Sequence, residues 1–207
     1  MNRYNKYRLL HPWITFKRIW YKVYNPAMFR FQGVLLKEKS NIANKTYLRL
    51  EEGATAYIGK HFTIASGDNI NPLSSNRYTS ICVDKHAILE IGDYCGISSS
   101  TIWATQHIRI GNYVNIGANC HIIDGDMHSI DWKSRAHESQ GNAGSYNKRP
   151  ITIEDHVWIG ANSMILKGVT IGSKTIIAMG SVVTKDIPAN CIAGGNPCKV
   201  IKHIIGK

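Results

Sequence analysis

Aliphatic residues recur at every sixth position in the C-terminal half of the chain, and this period restricts the fold more than any other feature of the sequence. A helix places apolar residues at i, i+3, i+4 and i+7, and a simple strand alternates without interruption, so neither explains a period of six. A fixed six-residue period is typical of a parallel β-helix, in which three hexads complete one triangular coil. The periodic residues are Ile153, Ile159, Ile165, Ile171, Ile177 and Val183.

A second compact residue lies two positions before each of the later five aliphatic residues, at Val157, Ser163, Val169, Thr175 and Ser181. Glycine or alanine follows several of the aliphatic residues, and such small residues let the backbone turn at the corners of a coil. Because three hexads make a coil of about eighteen residues, we expect Ile153, Ile171 and Ala189 to lie one above another.

The same period predicts how the rest of the chain is organised. Residues 71–82 lose it and are interpreted as a loop. One slip of a single residue is expected at the corner near residues 103–106. Residues 124–150 are polar, glycine-bearing and aperiodic, and excursions of this length are functional or disordered. We predict an all-β fold with a β-helix over residues 34–189, interrupted by an excursion loop at 124–150, and a C-terminal tail over residues 190–207. The period is kept by Ile58, Ile64, Ile70, Ile91, Ile97, Ile110, Ile116 and Ile122.

Residues 1–33 form a basic, aromatic N-terminal arm, in which no acidic residue precedes Glu38. We expect a helix over about residues 13–24, with Pro12 and Pro26 as its boundaries. One interpretation is that residues 1–32 contact a membrane interface. The other is a helical cap whose aromatic side chains pack onto the first coil and cover its open edges. We favour the cap, with weak membrane affinity as a secondary property.

Composition limits the classes of protein further. The formal net charge of +11 predicts anionic partners but does not by itself distinguish nucleic acid, a phosphorylated cofactor and a membrane surface. No run of about 18 apolar residues occurs, so we expect no membrane-spanning segment and no signal peptide. The five cysteines include no C-x-x-C pair, and we expect reduced core thiols in a cytoplasmic protein. A peripheral position at the inner face of the membrane is compatible with the basic arm.

Four motifs resemble the hexapeptide-repeat acyltransferases: VWIGAN (157–162), GVTIG (168–172), GSVVTKDIP (180–188) and GGNPCKVIK (194–202). In this order they are similar to the end of the maltose, galactoside and capsular-polysaccharide O-acetyltransferases of that family. The resemblance covers about residues 85–204 and implies a left-handed parallel β-helix, against the usual right-handed crossover. It also implies a homotrimer with active sites between subunits. The expected activity is transfer from acetyl-CoA to a sugar or glycan hydroxyl in cell-surface polysaccharide synthesis, with no resident metal and no nucleic-acid partner.

His128 is the candidate general base. It is flanked by Asp124, Asp126 and Asp131, and a histidine with a carboxylate partner is the usual base near neutral pH. The sequence does not identify which carboxylate is that partner. Residues 126–129 (DMHS) resemble the catalytic segment of the family. This implies that His128 takes the proton of the acceptor hydroxyl, whose oxygen attacks the thioester directly. The alternative is a solvated loop histidine.

The resemblance also implies which residues bind the donor and the acceptor. The backbone amides of Ala161 and Met179 would pair with the pantetheine arm as a peptide pairs with a sheet edge, and Trp158 would line its slot. The nucleotide end would meet Thr184 and Lys185, and its 3′-phosphate would meet Lys199 and Lys202. These last two lysines fit solvated tail charges equally well. The candidates for acceptor binding are Asp126, Arg135 and Tyr146.

Two other functions stay open at this point. The γ-class carbonic anhydrases share the coil and bind zinc through closely spaced histidines, whereas His121 and His128 are seven residues apart and show no compact ligand spacing. The third function is a non-catalytic scaffold associated with a membrane.

Overall fold

The computed structural model describes residues 12–67, 71, 73, 77–141 and 144–204, and within them three strands form each coil. Coil 1 contains β1 (Leu35–Leu36), β2 (Asn41–Ala43) and β3 (Thr46–Leu50); coil 2 contains β4 (Thr55–Ile58), β5 (Thr63–Ala65) and β6 (Thr79–Val83); coil 3 contains β7 (Ile88–Ile91), β8 (Gly96–Ser98) and β9 (Thr101–Ala104). Coil 4 contains β10 (His107–Ile110), β11 (Asn115–Ile116) and β12 (His121–Ile123); coil 5 contains β13 (Ile151–Ile153), β14 (Trp158–Ile159) and β15 (Met164–Ile165); coil 6 contains β16 (Thr170–Ile171), β17 (Ile176–Ile177) and β18 (Val182–Val183).

Corresponding strands of successive coils pair in parallel and form three sheets. We call these sheet A (first strands), sheet B (second strands) and sheet C (third strands). The six periodic aliphatic residues from Ile153 to Val183 are fully buried between the sheets, as their spacing predicts. Ile153 lies beside Ile171, but the next residue in this column is Ile187 and not Ala189. The expected register at the last coil is therefore wrong, because the final corner is shorter than the others.

The corners of the coil differ in regularity. From sheet A to sheet B the step between inward residues is six positions, as from Ile91 to Ile97 and from Ile153 to Ile159. From sheet C to sheet A the step varies. It is eight positions from Ile102 to Ile110 and 31 positions from Ile122 to Ile153. It falls to four positions from Val183 to Ile187. The corner between sheets B and C carries one insertion, between β5 and β6, whereas the long excursion emerges from the corner between sheets C and A.

The interpretation of residues 71–82 as a loop is wrong at its C-terminal end. Strand β6 begins at Thr79 and pairs with β3 and β9. The earlier periodic residue Ile70 lies outside the described residues.

Helix α1 spans Pro12–Phe31 and continues through Pro26, so the expected boundary at this proline is wrong. Its C-terminal half covers coil 1: Phe29 is fully buried, and Asn25 Nδ2 donates hydrogen bonds to the carbonyls of Ile42 (3.0 Å) and Asn44 (2.7 Å). The aromatic side chains of Trp13 and Trp20, which we expected to pack onto the first coil, are exposed instead. Residues 1–11 of the arm lie outside the described residues. No helix in the described ranges is long and apolar enough to cross a membrane.

The chain continues as regular structure after coil 6. Strand β19 (Cys191–Gly194) adds to sheet B beside β17, and β20 (Lys199–His203) returns antiparallel to β19. The tail expected after Pro188 is therefore largely a hairpin that closes the C-terminal end of sheet B.

Candidate active site

The excursion leaves coil 4 through a short antiparallel stem. The amide of Arg149 donates to the carbonyl of Asp124 (2.9 Å), and the amide of Asp126 donates to the carbonyl of Asn147 (3.1 Å). Gly125 lies between them, where an added Cβ would come within 2.6 Å of Thr105 Oγ1. Glycine is therefore needed for the stem to lie against the preceding coil.

Asp124 anchors this stem and does not belong to the reactive group. Its buried carboxylate accepts hydrogen bonds from the hydroxyl of Thr105 (2.8 Å) and from the amides of Thr105 (2.6 Å), Gln106 (3.0 Å) and His107 (2.7 Å). These donors form the corner at which the sequence predicts the one-residue slip. Asp124 thus ties the exit of coil 4 to the corner of coil 3.

The backbone turns sharply immediately before His128. Met127 has a φ of +64°, which is uncommon for residues other than glycine. The His128 side chain is 70% exposed, and its Nδ1 lies 3.1 Å from Oε2 of Glu138. Its Nε2 has no hydrogen-bond partner among the described residues. A carboxylate on Nδ1 favours the tautomer that leaves the Nε2 lone pair free to accept a proton.

The carboxylate partner of His128 is therefore Glu138, and not one of the flanking aspartates. Glu138 is the last residue of a short helix, α2 (Trp132–Glu138), which was not expected within the excursion. Asp131 caps this helix by accepting from the amide of Ser134 (2.8 Å). An aspartate at the N-cap is a recognised signal for a helix start, and it is the signal from which α2 could have been found.

Helix α2 holds the segment that carries His128 at two points. Oε1 of Glu138 accepts from the amide of Ser129 (3.1 Å) and contacts the hydroxyl of the same residue. Nη1 of Arg135 donates to the carbonyls of Ser129 (2.8 Å) and Ile130 (2.9 Å). Arg135, a candidate for acceptor binding, is thus engaged with the backbone beside the catalytic candidate.

Glu138 is held in its charged form. The hydrogen bond from the Ser129 hydroxyl lowers the pKa of Glu138, partial desolvation opposes this effect, and His128 adds to the lowering. Gly144 packs against the same carboxyl group so closely that an added Cβ would clash with it. A carboxylate that stays ionised keeps accepting the Nδ1 proton of His128 throughout the neutral range.

The other two acceptor candidates lie in different surroundings. Asp126 forms an ion pair with Lys167, and its Oδ2 is buried without a hydrogen-bond partner in the described part of the chain. Tyr146 lines a cavity of about 450 Å³ in the excursion together with Ser129 and Glu138, and burial raises the pKa of its hydroxyl. The structure therefore brings Tyr146, but not Asp126, next to the group that holds His128.

Two of the donor candidates, Ala161 and Met179, lie at the corner between sheets B and C. At the equivalent positions between sheets A and B, backbone amides are satisfied by side chains: Lys60 N–H by Asp93 Oδ1 (2.9 Å) and Asn112 N–H by Asp155 Oδ1 (2.7 Å). In the described part of the chain, the amides of Ala118, Ala161 and Met179 have no acceptor. A row of unpaired amides along a coil edge can pair with an extended, peptide-like ligand.

The remaining donor candidates lie near the C-terminal end of the coil. Trp158 is exposed on the outer face of sheet B, between Asn115 and Ile176 in register. The tail lies beside β18, because Cys198 donates to the carbonyl of Val182 (2.8 Å). This contact places the hairpin next to β18, and Thr184 and Lys185 follow directly after β18. The exposed candidates at this end are Thr184, Lys185, Lys199 and Lys202.

His128 follows the third strand of coil 4, whereas Ala161 and Met179 lie between the second and third strands of coils 5 and 6. Among the described residues, the two groups therefore occupy different corners of the triangular cross-section. The same residues contain no group of three or more His, Cys, Asp or Glu side chains arranged to hold a metal ion. This part of the chain therefore gives no support to the carbonic anhydrase alternative.

Comparison with known proteins finds similarity to acyltransferases with hexapeptide repeats. The model of the hexapeptide repeat of succinyl-transferase matches residues 150–185. The galactoside O-acetyltransferase of Escherichia coli is 45% identical over 91 residues, which are 44% of this chain and 44% of that protein. The chain thus spans about half the length, or less, of the curated relatives it matches.

Two solved structures share the fold. The polySia-specific acetyltransferase NeuO has a TM-score of 0.53 and 28% identity, covering 82% of this chain and 74% of that chain. AntD, an N-acyltransferase from Bacillus cereus solved with dTDP and 3-hydroxybutyryl-CoA, has a TM-score of 0.64 and 16% identity, covering 87% of this chain and 88% of that chain. The likeness to AntD concerns the fold alone. The chain resembles hexapeptide-repeat acyltransferases, and its named relatives are acetyltransferases.

Proposed function

We propose that this protein is an O-acetyltransferase that moves the acetyl group of acetyl-CoA to a sugar hydroxyl. The observation that carries the proposal is the exposed His128 with Nδ1 on the Glu138 carboxylate and a free Nε2. The names of the relatives support acetyl transfer as the reaction. No observation on the described residues favours the zinc enzyme or the non-catalytic scaffold over this reaction.

The acetyl group passes directly from CoA to the acceptor through a tetrahedral intermediate, without an acyl-enzyme. Nε2 of His128 accepts the proton of the acceptor hydroxyl while the hydroxyl oxygen attacks the thioester carbonyl. The C–S bond then breaks, and the imidazolium returns its proton to the leaving thiolate, which departs as the CoA thiol. Glu138 stabilises the imidazolium that forms and keeps the ring in place. Backbone amides near the carbonyl stabilise the negative oxygen of the intermediate.

The donor binds along the edge formed by the amides of Ala161 and Met179, with the exposed Trp158 beside it. Pairing with these amides would satisfy donors that otherwise lack acceptors, which supports this placement of the pantetheine arm. Thr184 and Lys185 approach the nucleotide, and Lys199 with Lys202 approach its 3′-phosphate. Lysine provides point charges rather than the bidentate contact of arginine, so we expect moderate CoA affinity.

We further propose a left-handed winding and a homotrimer in which each site lies between two subunits. The support is the separation of the two halves of the site on different corners of the coil. A neighbouring copy can bring its unpaired amides to the corner that carries His128. The proposed domain limits are 1–33 for the arm, 34–189 for the β-helix and 190–207 for the tail.

The acceptor is a sugar or glycan hydroxyl, bound near Tyr146 with contributions from Arg135 and Asp126. The printed names of the relatives, a galactoside and a polySia acetyltransferase, support a sugar acceptor. We place the reaction in cell-surface polysaccharide synthesis on the cytoplasmic side of the membrane.

Release of the CoA thiol from acetyl-CoA tests the proposal directly. The panel of acceptors should contain free sugars, nucleotide sugars and lipid-linked glycans, with mass analysis of the acetylated product. The proposal requires acceptor-dependent thiol release for at least one of them. Zinc content and carbon dioxide hydration, measured on the same preparation, test the carbonic anhydrase alternative. Hydration of carbon dioxide without thiol release from acetyl-CoA would replace the acetyltransferase assignment by carbonic anhydrase.

A further inference from the structure

An apolar stripe runs along the face of α1 that points away from the coil. Its members recur at helical spacing, and each of the large side chains is more than half exposed. The stripe consists of Trp13, Phe16, Ile19, Trp20, Val23 and Phe31. An amphipathic helix on a globular protein normally turns its apolar face to the core, so this orientation is reversed.

The opposite face of the helix explains why the stripe cannot turn inward. Asn25 and Phe29 occupy that face and are buried against coil 1, where the Asn25 amide is fixed by two carbonyls. A rotation that buried Val23, now 72% exposed, would break these contacts. The stripe is thus held outward by the packing of the helix, and a continuous apolar surface of this kind marks an interaction site.

The charges around the stripe are of one sign. Lys17, Arg18, Lys22 and Arg30 are the charged residues of α1, and the chain has no acidic residue before Glu38. Tryptophan and tyrosine rings flanked by basic side chains suit the boundary between lipid headgroups and acyl chains. A second copy of the helix would instead bring like charges together without an acidic partner. Charge complementarity therefore favours an anionic lipid surface over self-association.

We propose that α1 is a surface anchor whose outer stripe inserts into the headgroup region of an anionic lipid bilayer. The same helix then has two roles on its two faces, because its inner face covers coil 1 while its outer face binds lipid. Insertion of the apolar side chains supplies binding energy, and the basic residues make binding depend on anionic lipid and on salt.

Vesicle co-sedimentation of the full chain tests this proposal without any measurement of catalysis. We expect binding to vesicles of equal parts phosphatidylglycerol and phosphatidylcholine, little binding to phosphatidylcholine alone, and weaker binding at high salt. The double variant Ile19→Glu/Val23→Glu should partition at least about tenfold more weakly, because two inserted side chains become charged. Its melting temperature should match that of the wild type, since neither side chain is packed on the coil.

The matched control places the same two charges on another exposed apolar pair, Ile130→Glu/Trp132→Glu in the excursion. This control should bind the vesicles as the wild type does. The proposal would be overturned if the Ile19→Glu/Val23→Glu variant bound vesicles as tightly as the wild type. It would also be overturned if the control lost as much vesicle binding as that variant. Light scattering on each variant tests the alternative that a second copy of the chain occupies the stripe. Dissociation of an oligomer by Ile19→Glu/Val23→Glu would assign the stripe to contacts between copies and reject the lipid surface.

Discussion

At the scale of single residues, the contact between His128 Nδ1 and Glu138 predicts that His128 affects the rate of transfer and not the binding of acetyl-CoA. His128→Ala should lower the rate of acetyl transfer by about 10²–10⁴-fold and leave acetyl-CoA affinity nearly unchanged, because the base contacts the acceptor proton and not the nucleotide. Turnover by thiol release and affinity by titration calorimetry check this. His61→Ala, on the corner between sheets A and B, is the control and should retain activity. Wild-type turnover in His128→Ala would show that the base is misassigned.

The lowered pKa of Glu138 leads to a pH dependence with a definite sign. A carboxylate whose pKa is lower in the folded than in the unfolded chain stabilises the fold fully above the unfolded value, about 4.5. This contribution is lost as the pH falls through the lower folded-state value. The hydrogen-exchange protection of the Ser129 amide, which donates to Glu138, should therefore be constant near neutral pH and decrease in acid. Glu138→Gln should lower the protection at neutral pH and remove its dependence on this carboxylate.

The sequence could single out His128 as the candidate base, because it lies in a short motif within an ordered set of motifs, but it could not single out Glu138 as its partner. Glu138 lies ten positions after His128, at the end of α2, which Asp131 caps at its start. The nearer aspartates were the obvious candidates by spacing. The buried carboxylate of Asp124 instead accepts four hydrogen bonds, and Asp126 forms an ion pair with Lys167. Which carboxylate meets a loop histidine depends on how the loop closes, and a period of six says nothing about this.

At the scale of elements, the stem of the excursion depends on the Asp124 carboxylate. Asp124→Asn replaces one acceptor oxygen with an amide group that faces backbone N–H donors. We expect a loss of about 2–4 kcal/mol in the free energy of unfolding, since buried donors are left without partners. Thermal unfolding measures this. Asp93→Asn is the control at the corner between sheets A and B, where Oδ1 accepts from Lys60 at a solvent-exposed site, and its effect should be much smaller. Equal effects would contradict the role of Asp124.

The C-terminal hairpin should affect binding of the donor rather than turnover. Replacing both Lys199 and Lys202 by alanine should raise KM for acetyl-CoA by about tenfold with a smaller change in kcat, because contacts far from the reacting bond are equal in ground and transition states. Steady-state kinetics with acetyl-dephospho-CoA should show little change. Lys39→Ala/Lys174→Ala removes the same charge at another corner and is the control. Equal losses with both donors would show that these lysines do not bind the 3′-phosphate.

The regular coils could be predicted from the sequence, and the elements at the two ends could not. Inward residues such as Ile159 and Ile177 follow from spacing alone because every coil repeats the same packing. Helix α1 continues through Pro26 because the Asn25 and Phe29 contacts with coil 1 hold it in place, and such contacts are not encoded in a local boundary rule. Strand β20 pairs with β19 because the last coil leaves an edge of sheet B open. These features depend on tertiary packing and not on the repeat.

At the scale of the whole molecule, the position of the two half-sites predicts an oligomer. His128 lies on the corner after sheet C, and the unpaired amides of Ala161 and Met179 lie on the corner before it. In a trimer with three-fold symmetry, each contact between neighbours can join the second corner of one copy to the third corner of the next. The molecule should therefore be active as a trimer and inactive as a monomer.

Mixing two inactive variants distinguishes a site between subunits from a site within one. One variant is His128→Ala, and the other is Trp158→Ala/Met179→Glu, which changes exposed side chains beside the unpaired amides. Each alone should show little transfer. After joint unfolding and refolding, mixed trimers contain some interfaces in which an intact His128 faces an intact amide edge, so part of the wild-type activity should return. Refolding each variant separately is the control. If light scattering shows mixed trimers and no activity returns, both halves of the site belong to one subunit. A fully active monomer would remove the basis for the trimer altogether.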